Sequence, residues 1–194
     1  MAFGKASGKP RKPRDFSQPR KRRTLDQEGL RALAIRYVER YATTRAKLLA
    51  YMGRKLRERD WTGDAAADLE GIADRFVELG YVDDRIYGEA KARSLSARGY
   101  GAMRVEGALR QAGVDEDLRE EIRDTLDARQ ALLAFAKRRR FGPYAREEVD
   151  ADKARKEFAA CMRAGHSVDL VKRLMGASDA GALETEWAEE EENF

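Results

Sequence analysis

The sequence predicts an all-α protein: three tandem copies of a three-helix unit in an elongated array whose curvature the sequence leaves open. Three observations carry this. Apolar residues recur at i, i+3, i+4 spacing along most of the chain, the signature of one buried face per helix. Proline is confined to Pro10, Pro13, Pro19 and Pro143, so no missing N–H interrupts a helix between residues 24 and 142. The apolar anchors of two helices also repeat every 53 residues, and repeats of this size mark units that bury their faces against neighbours. Composition agrees. Of 194 residues 42 % are hydrophobic, enough for a core, while 38 % are charged, well above the usual quarter or so. Helices with narrow apolar stripes and broad charged faces satisfy both.

The first unit, residues 25–80, opens at Thr24-Leu-Asp-Gln27, which has capping-box spacing. Leu30, Leu33, Ala34, Tyr37, Val38 and Tyr41 follow on one helical face, and Thr43-Thr44 offers the next N-cap. A second helix carries Leu49, Met52 and Leu56. A turn at 60–63 leads to a third with Leu69, Ile72, Ala73, Phe76 and Leu79. The second unit, 81–126, repeats the order. Asp83-Asp84 starts a helix with Ile86, Tyr87, Ala90 and Leu95, and Arg98-Gly-Tyr-Gly101 stops it. Val105 and Leu109 then stand 53 residues after Met52 and Leu56. Gly113 ends that helix as a C′ glycine, and Leu118, Ile122 and Leu126 form the third face. In the third unit, 127–176, the same increment gives Phe158, Met162 and Met175, with Gly165 as terminator.

Charge is strongly polarised. Residues 1–24 carry nine basic side chains against Asp15, a charge of +8. Residues 177–194 carry seven acidic side chains and no basic one, −7. With the whole chain at +4, the body between them holds +3. Both ends are expected to be mobile tails, too polar to fold alone. The basic one is either a solubilising extension or an arm that strengthens nonspecific nucleic-acid binding. Trp187 in the acidic one is a potential docking point on the body.

Chemistry-bearing constellations are sparse. One cysteine, Cys161, and one histidine, His166, provide neither a disulfide nor the usual zinc set. Cys161 aligns by the 53-residue step with Ala108 and Lys55, an inert flanking slot, and His166 neighbours a helix cap. Asp83 and Asp84 lack a third carboxylate or a nucleophile and read as N-caps. Gly99-Tyr-Gly101 lacks the Lys-Ser/Thr ending of a phosphate loop and reads as a helix stop that needs glycine's conformational freedom. Tyr100 either packs there or stacks on a partner. The expectation is a binding protein with no cofactor and no metal, not an enzyme. No apolar run of 18 residues and no signal peptide stand in the sequence, so a cytoplasmic location without membrane contact is expected.

Gly80-Tyr-Val-Asp-Asp84, followed by Tyr87, Gly99-Tyr100-Gly101, Val105 and Leu109, resembles the middle repeat of the RecX family, regulators of RecA. The first unit is similar to that family in Arg40-Tyr-Ala-Thr-Thr44, Lys47-Leu-Leu and Arg54-Lys-Leu56. The likeness spans about residues 25–175. Gly88 departs from it, standing where an alanine is usual, and the third unit matches only in outline. The resemblance implies a protein, expected to be a monomer, that lies in the groove of the RecA–DNA filament. There it would restrain recombinase, ATPase and coprotease activities, and so DNA repair and the SOS response.

The candidate contacts are basic. Arg54, Lys55 and Arg57 crowd a helix of the first unit. Lys91, Arg93, Arg98 and Arg104 surround the middle-unit turn, and Lys137, Arg138, Arg139 and Arg140 end a helix of the third. One such cluster is ordinary solvated surface. Three in three units make a basic stripe that could meet DNA phosphates, single- or double-stranded, or an acidic protein face. The competing reading is a stand-alone helical nucleic-acid-binding protein acting without RecA.

Overall fold

The computed structural model describes residues 23–192, and residues 1–22 of the basic segment lie outside them. The described residues form ten α-helices: α1 (Gln27–Arg40), α2 (Arg45–Arg57), α3 (Leu69–Glu78), α4 (Asp84–Ala97), α5 (Ala102–Gln111), α6 (Glu116–Asp124), α7 (Ala128–Arg139), α8 (Ala151–Arg163), α9 (Val168–Gly176) and α10 (Ala180–Glu192). Most starts are capped locally by a short polar side chain. Asp26, Thr44, Asp68, Asp83, Asp115, Asp127, Asp150 and Ser167 each accept a first-turn N–H, satisfying donors that have no partner within the helix.

The expected Thr24–Gln27 capping box does not form. Asp26 caps α1 instead, accepting from Gly29 N at 2.8 Å. Thr24–Leu25 (β1) runs parallel to Asp60–Trp61 (β2) and drops Leu25 into the first core. Gln27 is diverted to the head of α3: its amide donates to the Asp68 carbonyl and accepts from Asp68 N, both at 3.1 Å.

Three apolar cores follow the three units. The first gathers Leu30, Leu48, Met52, Ile72 and Phe76, and reaches forward to take Val82. The second gathers Leu95, Val105, Leu109, Val114 and Ile122. Here Gly88 has a packing reason, because a Cβ on it would press on Ile122 Cδ1 at 2.7 Å. The third is built from Leu132, Phe135, Cys161, Val171 and Leu174. Extensive helix packing joins α1 to α2 and α2 to α3, then α4, α5 and α6 mutually, then α7 and α8 to α9. Between the second and third units α4 lies along α7.

Two expectations for the third unit need correction. The step from the second unit is 52 residues, so Val105, Leu109 and Ile122 correspond to Glu157, Cys161 and Leu174, which are the buried positions. Phe158, Met162 and Met175 pack only partly against the core. A one-residue shift rotates a helical position by about 100°, from the buried stripe to its flank. Cys161 is therefore fully buried rather than flanking. The acidic segment 177–194 is likewise not a mobile tail across its described length. α10 lies against the third unit with Leu183 and Trp187 in its core. Two large apolar side chains one turn apart supply the burial that the composition of the segment seemed to deny it.

Candidate functional site

The most constrained part of the molecule is where units meet. α4 ends at Arg98, Gly99 turns through a positive φ of 74°, and Gly101 begins α5 with no side-chain cap. Instead, Gly101 N donates to the Ala164 carbonyl at 2.9 Å and Met103 N to the Gly165 carbonyl at 3.2 Å. The start of the second unit's middle helix is thus capped by the end of the third unit's. A Cβ on Gly101 would overlap the Gly165 carbonyl. One on Gly165, itself at φ 91°, would overlap Arg104 N. The helix-stop reading of Gly99-Tyr-Gly101 therefore covers only part of its role, because the glycines also let two backbones touch.

The same joint recurs between the first and second units with different chemistry. Thr44, at the start of α2, is fully buried, and its hydroxyl donates to the Ala112 carbonyl at 2.5 Å. Ala112-Gly113 corresponds to Ala164-Gly165 by the 52-residue step. Asp83 caps its own helix through Ile86 N at 2.8 Å, whereas Asp84 reaches back to accept from Arg45 N at 2.8 Å. Tyr87 accepts a hydrogen bond from Lys47, whose ammonium lies 4.4 Å from the ring centroid. Leu109 is buried in the core, Gly80 forms an open turn at φ 72°, and Tyr81 is exposed. The motif residues are therefore mainly structural, and most of them serve the joints.

Basic candidates divide by their partners. Arg54 and Lys55 pair with Glu58 at 3.8 and 2.6 Å, Arg93 with Glu89 at 3.6 Å, and Lys137 with Glu184 at 2.7 Å. Arg57 and Lys91 are exposed on separate units. The joint between the second and third units gathers the rest. Arg98 and Arg104 lie 5.3 and 5.7 Å from the Tyr100 ring centroid. Arg138 donates to the Arg98 carbonyl at 2.6 Å and, like Arg139, lies over Phe135. Arg140 turns α7 out through a left-handed φ of 58°. Among the described residues, no carboxylate lies within ion-pair distance of these five arginines. Tyr100 packs partly against both cores, leaving one edge between the guanidinium groups. This is a compact cationic and aromatic surface on a rigid base, suited to phosphates or carboxylates.

His166 lies beneath it. The ring is buried, with Nε2 3.1 Å from the Gly99 carbonyl. A carbonyl can only accept, so Nε2 carries the hydrogen and Nδ1 is left without a partner among the described residues. Burial lowers the pKa of the ring and favours its neutral form. Cys161 is pushed up to about 11, first by burial and then by the nearby Glu157 carboxylate, which leaves an unreactive thiol. Glu157 lies buried at the position of Val105, one oxygen accepting from Gly142 N at 3.0 Å and the other unpartnered. Reading the sequence at 53 residues missed these roles. At 52, His166 falls opposite the buried Val114 and Glu157 opposite Val105.

The acidic helix α10 faces away from the arginine joint. Arg129 and Arg173 hold Glu190, Arg173 also holds Glu186, and Lys137 and Tyr144 hold Glu184. Of the basic run ending α7, only Lys137 is thereby neutralised.

Comparison with known proteins gives a consistent result. A family model described as RecX, second three-helix domain, matches residues 83–122. The "Regulatory protein RecX" of Myxococcus xanthus (strain DK1622) is 27 % identical over 185 residues, covering 90 % of this chain and 98 % of that one. That of Thermobifida fusca (strain YX) is 31 % identical over 165 residues, covering 84 % and 85 %. A crystal structure of RecX from Lactobacillus salivarius superimposes with a TM-score of 0.60 over 76 % of this chain and 93 % of that one, at 16 % identity, a likeness of fold.

Proposed function

The chain belongs to the RecX family of regulatory proteins, and on that premise we propose that it regulates RecA by binding the RecA–DNA filament. The observation that carries this reading is the unpaired set Arg98, Arg104 and Arg138 around Tyr100, on the joint between the second and third units. Arginines without carboxylate partners keep their charge for an outside anion, and a backbone-to-backbone joint holds them in fixed relation. The filament offers such anions as DNA phosphates and acidic protein surface. A chain of similar units can follow a helical polymer through repeated weak contacts whose linkage raises effective concentration. In this role the protein acts as a cytoplasmic monomer. It restrains ATP hydrolysis, strand exchange and RecA-stimulated repressor cleavage, and thereby modulates DNA repair and the SOS response.

The test is fluorescence anisotropy of the labelled full chain against RecA filaments on single-stranded DNA, and against the same DNA bare, over a salt series. Binding to filaments well above that to bare DNA is the expected result. Equal binding to both, with a steep salt slope, would make this a stand-alone nucleic-acid-binding protein instead.

A further inference from the structure

The three units treat the face between their first and third helices differently. In the second, α4 and α6 pack directly on one another. In the third, α10 occupies the face. Its Leu183 and Trp187 are buried there, and its glutamates pair with Arg129 and Lys137 on the first helix and Arg173 on the third. In the first, α1 and α3 both pack chiefly on α2 and leave a groove of about 580 Å³ between them. Its floor is Ile72 and Phe76, and its walls include Ile35, Leu79 and Tyr81. These three are 41, 49 and 62 % exposed, large apolar side chains left open to water where the third unit buries the equivalent face. Arginines again stand on both walls, Arg31 on α1 and Arg75 on α3. Arg31 has no carboxylate within ion-pair distance among the described residues, while Arg75 bonds Glu78 on its own helix at 3.0 Å. Glu39 is the one acidic residue of the lining.

From this we infer that the α1–α3 groove of the first unit is a docking site for an acidic amphipathic helix of a partner protein. The helix would carry two large apolar side chains one turn apart. α10 shows the chemistry within the same molecule: apolar anchors four residues apart enter between the first and third helices, and flanking carboxylates meet basic residues on both walls. A helix laid in a groove is a common form of peptide recognition, read by i, i+4 anchors. The site lies on a different unit from the arginine joint, so the inference stands whether or not that joint binds a RecA filament.

The test uses the full chain and a labelled peptide of residues 179–192 as the model acidic helix. Saturable binding should weaken about tenfold or more in Leu79→Lys and in Ile35→Lys, each tolerated because its side chain is already exposed, with folding checked by circular dichroism. Arg173→Glu should leave binding unchanged. A peptide with Leu183 and Trp187 replaced by alanine should fail to bind, and one with its glutamates replaced by lysine should bind about tenfold more weakly. Loss in Arg173→Glu but not in Leu79→Lys would mean exchange at the seat of α10 and would overturn the proposal, as would absence of binding. Equal binding of the lysine peptide would overturn the acidic specification. Sedimentation of the wild type as a dimer that Leu79→Lys dissociates would assign the groove to a second copy of the chain instead.

Discussion

The two joints between units solve one geometric problem in two ways. Both set the start of a middle helix against the Ala-Gly end of the next unit's middle helix. The first uses side chains: the Thr44 hydroxyl meets the Ala112 carbonyl, Asp84 meets Arg45 N, and Lys47 meets Tyr87. The second uses backbone, with Gly101 and Met103 N–H groups on the Ala164 and Gly165 carbonyls and buried His166 on Gly99. The difference has a consequence for charge. A side-chain joint consumes polar and charged groups, and Arg45 there is also tied to Glu70 and Asp74. A backbone joint consumes none, which leaves Arg98, Arg104 and Arg138 unpaired around Tyr100. The binding surface lies where the fold is made of glycine.

The contrast can be broken most severely at Gly165. Alanine there must adopt a strongly positive φ and place its Cβ on Arg104 N, so Gly165→Ala should cost about 3 kcal/mol, read as a lower midpoint in urea unfolding. A cost under half of that would show that the joint relaxes. At the side-chain joint, Thr44→Val keeps the shape but leaves the Ala112 carbonyl unpaired and α2 uncapped. The expected loss is about 2 kcal/mol in the same assay. The smallest effect separates the joints by pH. Because burial lowers the pKa of His166, the unfolded chain takes up its proton first. Its contribution is intact above the unfolded value of about 6.5 and declines as pH falls below it, until the folded pKa is reached. Replacing His166 by Leu should flatten that part of the Tm–pH curve between pH 7 and 5, and Thr44→Val should not.

Much of this was legible in the sequence, for physical reasons. Helix faces announce themselves by spacing, and Gly99, Gly101, Gly113 and Gly165 marked the right turns. The family motif around Gly80 to Leu109 was readable because its residues serve local caps and joints. What failed was register and partnership. A 53-residue step fitted the first two units but rotated the third, hiding Glu157 and Cys161 in the core behind the plausible Phe158 and Met162. Nothing local distinguishes Asp84, which caps a neighbour, from Asp83, which caps its own helix. Composition argued against order in the acidic end, yet Leu183 and Trp187 suffice once α7 and α9 provide a surface. Which arginines are free also depends on three-dimensional pairing, so the basic clusters could be named but not ranked.

The most direct test of the central claim is a titration of RecA-catalysed, DNA-dependent ATP hydrolysis with the wild type and with Arg98→Glu/Arg104→Glu. The account predicts inhibition by wild type at well below one molecule per RecA monomer. The double variant, unchanged in helicity and Tm, should need about tenfold more or higher. Equal inhibition by both proteins would contradict the assignment of the joint, and no inhibition by wild type even at equimolar amounts would contradict the function itself.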